Sequence, residues 1–240
     1  MFRVIFVMDI FNRNVVLAKG GVRENYRPVS DSSGVCSSPD PVEIVEVLQP
    51  LEVYIADLNV LQGGNRDTNS EIIRAVSSKA ETMLDFGVSS QNDVEKALSI
   101  ANTAVIGTET GTFAAIRETA SLYPGRISVS IDIKHGKVLK QDPEIPSDPF
   151  EIVEALDELP LKDLILLDMD RVGTASGFDP VFLKELALRS KHDVLLGGGV
   201  RSMEDLYILG KIGVKGALVA TAVHNGSIPL EWLKSGPEIE

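Results

Sequence analysis

Residues 7–16 read VMDIFNRNVV and residues 130–138 read SIDIKHGKV. Each is a β-branched, apolar run that meets an aspartate, Asp9 in one and Asp132 in the other, at an offset of 132 − 9 = 123. Short runs of this kind read as strands, and amphipathic stretches of helical period lie between them, the signature of repeated βα units and a parallel sheet. Eight runs are predicted: Phe2 to Met8, Glu52 to Ala56, Glu81 to Leu84, Thr103 to Ile106, Ile127 to Ile131, Asp163 to Leu167, Asp193 to Leu196 and Gly216 to Val219. Helices are predicted in PDPVEIVEVL, SSQNDVEKALSIA, DPFEIVEALDEL, DPVFLKELALRS and RSMEDLYILGKIG, each behind a proline, serine or aspartate start signal. The expected fold is a single-domain α/β (βα)8 TIM barrel over residues 1–240.

The match between the two opening stretches extends along the chain. Asp57 in IADLN corresponds to Asp168 in LLDMD at 168 − 57 = 111. Ser90 and Asp93 correspond to Ser202 and Asp205 at 112, and Thr108 to Thr221 at 113. Four registers in one order predict two half-barrels, about 1–125 and 126–240, since a half-barrel cannot bury its own sheet. The twelve-residue difference between the first two offsets puts extra chain between the first two strands, in the polar segment Lys19 to Pro39, expected to be a mobile loop over the site face.

Composition narrows the function classes. A formal charge of −12 argues against a broad nucleic-acid or anionic-membrane footprint, so an anionic ligand needs a local positive site. No apolar run reaches the length of a membrane span, and FRVIFVMDI lacks the features of a signal peptide, which predicts a cytoplasmic protein. The single cysteine, Cys36, excludes an internal disulfide and reads as a bystander thiol in SDSSGVCSSPDP. The scattered His135, His192 and His224 form no metal triad, so no metal and no cofactor is expected. The expected partner is a phosphorylated small molecule, with no nucleic acid and no membrane.

Ligands of (βα)8 barrels sit at the C-terminal ends of the strands, so the polar residues that end the runs are the candidates. Asp9 and Asp132 belong to the first and fifth runs, opposite each other in an eight-stranded barrel, where one can serve as base and the other as acid. A lone strand-end aspartate more often accepts backbone N–H groups, and it is the symmetric pair that points to catalysis. LLGGGVRSMEDL places Gly198 and Gly199 before a helix expected to be capped by Ser202 with Asp205, a plausible phosphate nest, and VATAVHNG adds Thr221 and Ala222. The corresponding first-half residues are Gly87, Gly107 and Thr108, but Asp85 and Phe86 stand where the second half has Gly197 and Gly198. DMDRVGTASGFD brings Asp168, Gly173 and Thr174 to the same face, and Arg171 or Arg201 could supply positive charge.

MDIFNRNVVLAKGG, IADLN, VIGTE, SIDIKHGKV, LDMDRVGTASGFD, LLGGGVRSMEDL and ALVATAVHNG resemble, in order and spacing and over nearly the whole chain, the HisA/HisF family of histidine-biosynthesis barrels. That family comprises ProFAR isomerase and the cyclase subunit of imidazole-glycerol-phosphate synthase. The resemblance implies an Amadori-type isomerisation of a phosphorylated aminoaldose, or a related cyclisation. On the isomerase pattern Asp9 is the general base, Asp132 the acid-side carboxylate, and the loop from Lys19 closes over the substrate. The chain departs from the pattern at Leu167, where the isomerase has threonine, at Val172, where both enzymes have aspartate, and at DFGVS, where a first phosphate motif has Gly-Gly-Gly-Ile-Arg. The alternatives are a lyase or synthase on a singly phosphorylated metabolite in cofactor biosynthesis, and a phosphometabolite-binding barrel without turnover. A glutaminase partner of the kind the cyclase uses has no recognisable surface in the sequence.

Overall fold

Aspartate followed by proline opens three of the outer helices. Asp40, Asp148 and Asp179 are N-caps whose carboxylates accept the first free N–H groups of α1 (Pro41–Leu48), α6 (Pro149–Leu156) and α7 (Pro180–Arg189), with proline in the first turn. The computed structural model describes residues 1–17, 26–65 and 67–237. Its remaining helices are α2 (Leu58–Leu61), α3 (Ser70–Ser77), α4 (Gln91–Ile100), α5 (Phe113–Leu122), α8 (Met203–Lys211), α9 (Thr221–His224) and α10 (Glu231–Ser235). The strands are β1 (Arg3–Phe11), β2 (Asn14–Leu17), β3 (Arg27–Pro28), β4 (Glu52–Asp57), β5 (Glu81–Asp85), β6 (Thr103–Gly107), β7 (Ile127–Lys134), β8 (Lys137–Val138), β9 (Asp163–Asp168), β10 (Asp193–Gly197) and β11 (Gly216–Val219).

Eight of these strands pair in parallel, in the order β1, β4, β5, β6, β7, β9, β10, β11. β11 returns to β1 through Arg3↔Gly216 and Phe6↔Val219, closing a (βα)8 barrel. The pleat then sorts the side chains. On β1, Phe6, Met8 and Ile10 point outward and are fully buried under the helices, worth about 2 kcal/mol each. Ile5 points inward and packs with Tyr54, Met83, Val105, Ile165, Leu195 and Leu218 in a separate cluster that fills the barrel. Two further steps of the same period bring Val7 and then Asp9 to the C-terminal mouth.

The N-terminal mouth is plugged by charge. Arg3 donates through Nε and Nη2 to Glu52 at 2.8 and 2.6 Å, and through Nη1 to Asp163 at 2.5 Å. Lys162 donates to Glu81 and to the Thr103 hydroxyl, both at 3.1 Å.

Several expectations need correction. β1 and β7 run past Met8 and Ile131, because each continues into a tight hairpin, with β2 and β8 as the returning arms. Helices α3 and α5 add to the five expected and start behind asparagine and threonine instead of proline, serine or aspartate. Asn69 makes no side-chain cap to α3, and Thr112 caps α5 from an unremarkable loop. The described part of the segment Lys19 to Pro39 is not a free loop. Residues 19–25 lie outside the described residues, but over 26–39 β3 pairs with β2, Val29 is fully buried, and Cys36 belongs to the core under the helices. Cys36 is therefore a packed thiol, held above its ordinary pKa by burial.

Candidate functional site

At the C-terminal mouth the barrel opens into a cavity of about 640 Å³. Its wall is divided by charge. Asp9, Asp85, Glu109 and Asp132 line one side together with Lys134 and Tyr54, whereas Leu167, Met169, Val172, Val200 and Leu218 make the other side apolar.

Asp132 is the most thoroughly built of these groups. Its backbone N–H donates to Thr108 Oγ1 at 3.0 Å, and its carboxylate accepts Ser130 Oγ at 2.6 Å and the Glu109 N–H at 3.2 Å. A Cβ at Gly107 would lie 2.6 Å from Asp132 Oδ2, so only glycine leaves room for the carboxylate there. Burial raises the Asp132 pKa to about 7. The Ser130 and Glu109 hydrogen bonds pull it down, and the charges of Asp85 and Glu109 push it up. Such a carboxyl exchanges its proton near neutrality. Tyr54, buried in the barrel, donates its hydroxyl to Asp85 Oδ2 at 2.8 Å. Burial first, and then the neighbouring carboxylates Asp85, Asp132 and Asp9, hold its phenol well above the ordinary value, so it remains a donor.

The two halves repeat in geometry as well as in letters. Asn12 and Arg13 turn the β1–β2 hairpin at φ 48° and 69°, and His135 and Gly136 turn the β7–β8 hairpin at 52° and 68°. Each pair has the two positive φ angles of a type I′ turn, at the offset of 123. The Asn12 N–H donates to Asn59 Oδ1 at 2.8 Å, and the His135 N–H to Asp170 Oδ2 at 2.5 Å. Asp57 Oδ1 accepts the Asn59 N–H, as Asp168 Oδ1 accepts the Asp170 N–H, at 3.1 and 3.2 Å. Asp93 Oδ2 accepts the Ser89 N–H, as Asp205 Oδ2 accepts the Arg201 N–H, at 3.2 and 2.8 Å.

Of the residues singled out in the sequence, Asp9, Asp132, Gly173, Gly198, Gly199 and Thr221 line the cavity. The others stand off the wall. Gly107 and Thr108 seat Asp132, and Gly87 turns the chain after β5 at φ 72°. Asp168 pairs with Arg171 Nε at 2.9 Å, exposed Thr174 bonds the Arg171 carbonyl and Ser176, and Ala222 is buried in α9. The glycines at 198 and 199 also answer to a different neighbour than expected. Cβ atoms there would meet Asp168 O at 2.6 Å and Gly177 O at 2.2 Å, so these glycines admit the backbone of the 168–177 loop. The Gly199 N–H donates to Arg171 O.

Ser202 makes no side-chain cap to α8; Asp205 instead receives the Arg201 N–H and guanidinium. Both arginines considered as sources of positive charge are thus paired, Arg171 with Asp168 and Arg201 with Asp205.

Tyr54, Glu109 and Lys134 went unassigned in the sequence, and Asp85 was marked only as replacing a glycine of the phosphate motif, although it stands at a strand end by the rule that found Asp9. Tyr54 could have been found only from its inward position on β4. His224 likewise carries no signal in the sequence. It is buried, meets Ser33 Oγ through Nδ1 at 2.9 Å, packs edge-on against Phe6, and is drawn down to a pKa of about 4 by burial. It ties α9 to the segment between β3 and α1.

Fold and cavity together define a (βα)8-barrel protein with titratable carboxyls gathered at the C-terminal mouth. The chain belongs to the histidine biosynthesis protein family, whose model matches residues 3–229. An uncharacterized protein of Methanocaldococcus jannaschii is 33% identical over 236 residues, covering 95% of this chain and 96% of that protein. The 1-(5-phosphoribosyl)-5-((5-phosphoribosylamino)methylideneamino) imidazole-4-carboxamide isomerase (ProFAR isomerase) of Dehalococcoides mccartyi is 30% identical, covering 81% of this chain and 85% of that enzyme. The isomerase of the same name from Thermus thermophilus is 28% identical, covering 80% and 85%. Among the described residues no helix is long and apolar enough to cross a membrane.

Proposed function

We propose that the chain is an Amadori-type aldose–ketose isomerase acting on a phosphorylated aminosugar in the mouth of the barrel. The observation that carries this reading is Asp132, buried at the end of β7, seated by Gly107, Thr108 and Ser130, and titrating at about 7. Protonated, it donates to the ring oxygen of the aldosylamine, the C1–O bond breaks, and the nitrogen lone pair forms the C=N bond. Asp9, on β1, removes the C2 proton, and the electron pair left behind gives the enolamine. Return of a proton to C1 and loss of one from O2 yield the ketose, with no net change in atoms or electrons. The relatives named as ProFAR isomerases support the same reaction class. A substrate phosphate is assigned to the end of the cavity at Gly198, Gly199 and Thr221, because loops after the last two strands of this fold frequently hold phosphate.

The test is turnover of ProFAR, and of an N-substituted 5-phosphoribosylamine carrying one phosphate, by the wild type and by Asp9→Asn and Asp132→Asn. Turnover of at least one substrate is expected, with kcat/KM falling as pH rises above about 7 and dropping by about 10²-fold or more in each variant. Absence of turnover by folded wild type, or its retention in both variants, overturns the proposal. In the first case Leu167 and Val172, which make the cavity wall apolar where the isomerase pattern is polar, favour a lyase or synthase of another substrate.

A further inference from the structure

The internal repeat gives the cavity its own control experiment. At the offset of 112 the turn after β5 corresponds to the turn after β10, Asp85 matching Gly197, Gly87 matching Gly199 and Asp93 matching Asp205. The structure keeps this register, since Asp93 and Asp205 each accept the N–H four residues before them. Against that shared frame, the second-half turn lines the cavity with Gly197, Gly198, Gly199 and Val200, and the first-half turn with Asp85. At Gly197 a Cβ would meet Leu167 Cδ1 at 2.6 Å and Leu218 Cδ1 at 3.2 Å, so in the second half the ends of two leucines occupy the space a side chain would take. The first half puts a carboxylate there. Asp85 Oδ2 accepts the Tyr54 hydroxyl at 2.8 Å and Oδ1 accepts the Gly87 N–H at 3.3 Å. Both oxygens act as acceptors; the Gly87 N–H is taken by Asp85 as its counterpart Gly199 N–H is taken by Arg171 O, so what sets the first half apart is the carboxylate itself.

We infer that Asp85 is a specificity-determining residue that fills the first-half anion position and restricts the cavity to substrates with a single phosphate, held at the β10–β11 end. The inference rests on the proposed phosphorylated substrate. A phosphate beside Asp85 would share its surroundings with Glu109 and Asp132, which line the same side, and among the described lining residues only Lys134 carries positive charge. A dianion placed there is repelled at close range unless a cation offsets it. The opposite side presents no carboxylate among the described lining residues. Substrates therefore enter with the phosphate towards Gly198 and Thr221 and the unphosphorylated end towards Asp85.

The test is phosphate stoichiometry by isothermal titration of inorganic phosphate into the wild type, Asp85→Asn and Asp85→Gly, with ribose 5-phosphate and ProFAR as mono- and bisphosphate probes. Asp85→Asn retains an acceptor for Tyr54 while removing the charge, and it carries the test alone if Asp85→Gly fails to fold. The wild type is expected to take one phosphate per chain and to bind ProFAR with less than about threefold gain over ribose 5-phosphate. The variants are expected to take a second phosphate and to gain at least tenfold in affinity for ProFAR relative to ribose 5-phosphate. Two phosphates in the wild type, or one in the wild type and still one in the variants, overturns the inference and leaves the isomerase reading standing. No phosphate bound by any of the three overturns the phosphorylated-substrate reading and the inference with it.

Discussion

Asp132 combines a stability cost with the acid role proposed for it. With a folded pKa of about 7 against an ordinary value of 3.8, it holds its proton in the folded chain across an interval where the unfolded chain releases it. Folding takes up protons there, so this group's contribution to stability falls as pH rises from about 4 to about 7, and above that the full cost remains. Asparagine carries no such cost. It can turn its oxygen to the Glu109 N–H and its amide to the Ser130 hydroxyl, leaving neither unpaired. Asp132→Asn is therefore expected to be more stable than the wild type at pH 8, by about 2–4 kcal/mol. Most of that advantage should disappear at pH 4, with both proteins compared by denaturant unfolding at each pH. An equal difference at both values would mean that packing, and not ionisation, sets it. In the acid role proposed for it, a carboxyl that weakens its own fold is the exchange expected of a site tuned for chemistry.

Among the elements, the two hairpins show how far the sequence could be read. VMDIFNRNVV and SIDIKHGKV revealed the repeat, yet the turn in each was hidden, because Asn-Arg is not a common type I′ pair and His-Gly only half resembles one. The pairing Asp9↔Val16 and Ile133↔Val138 is a tertiary fact that extended the strands beyond their apolar runs. Strand order, barrel closure and the Asp-Pro helix starts were legible because period and capping are local. The seat of Asp132, the Tyr54–Asp85 bond and the packing under the 168–177 loop were not, since they join residues far apart in the chain. The turn geometry itself makes a prediction. Gly136 sits at φ 68° with open space where a Cβ would stand, so Gly136→Ala would incur backbone strain without a clash, at a cost of about 1 kcal/mol. Its partner Arg13, at φ 69°, gives the converse. Arg13→Gly keeps the N–H that bonds Asn69 Oδ1 and loses only an exposed pair with Glu71, so it should be neutral to stabilising by up to about 1 kcal/mol. Opposite signs for the two changes in chemical denaturation would establish that the repeat extends to backbone energetics; matching signs would refute it.

The molecule as a whole separates the candidate site from its support along the barrel axis. Carboxyls gather at the C-terminal mouth around the cavity, while at the other end Arg3 joins β1 to Glu52 on the adjacent β4 and to Asp163 on β9. The Asp163 side chain is 1% exposed, and burial holds its pKa above the ordinary value although Arg3 and Lys162 pull it down. Removing the guanidinium strands that carboxylate in the interior, and the loss of one partner from a buried pair is strongly destabilising, by about 3 kcal/mol or more. Arg3→Met is expected to unfold at a correspondingly lower denaturant concentration, and the further change Asp163→Asn should restore part of the loss by removing the stranded charge. The loss should also shrink as pH falls, because a raised Asp163 can then accept a proton. On the proposed function, phosphate affinity and turnover per folded molecule are expected to stay within about twofold in both variants, because this end of the fold serves stability while the strand C-termini carry the candidate site. A fall in turnover without a fall in stability would show instead that the charged plug acts on the cavity through the barrel interior, by way of Ile5, Tyr54 and Ile165.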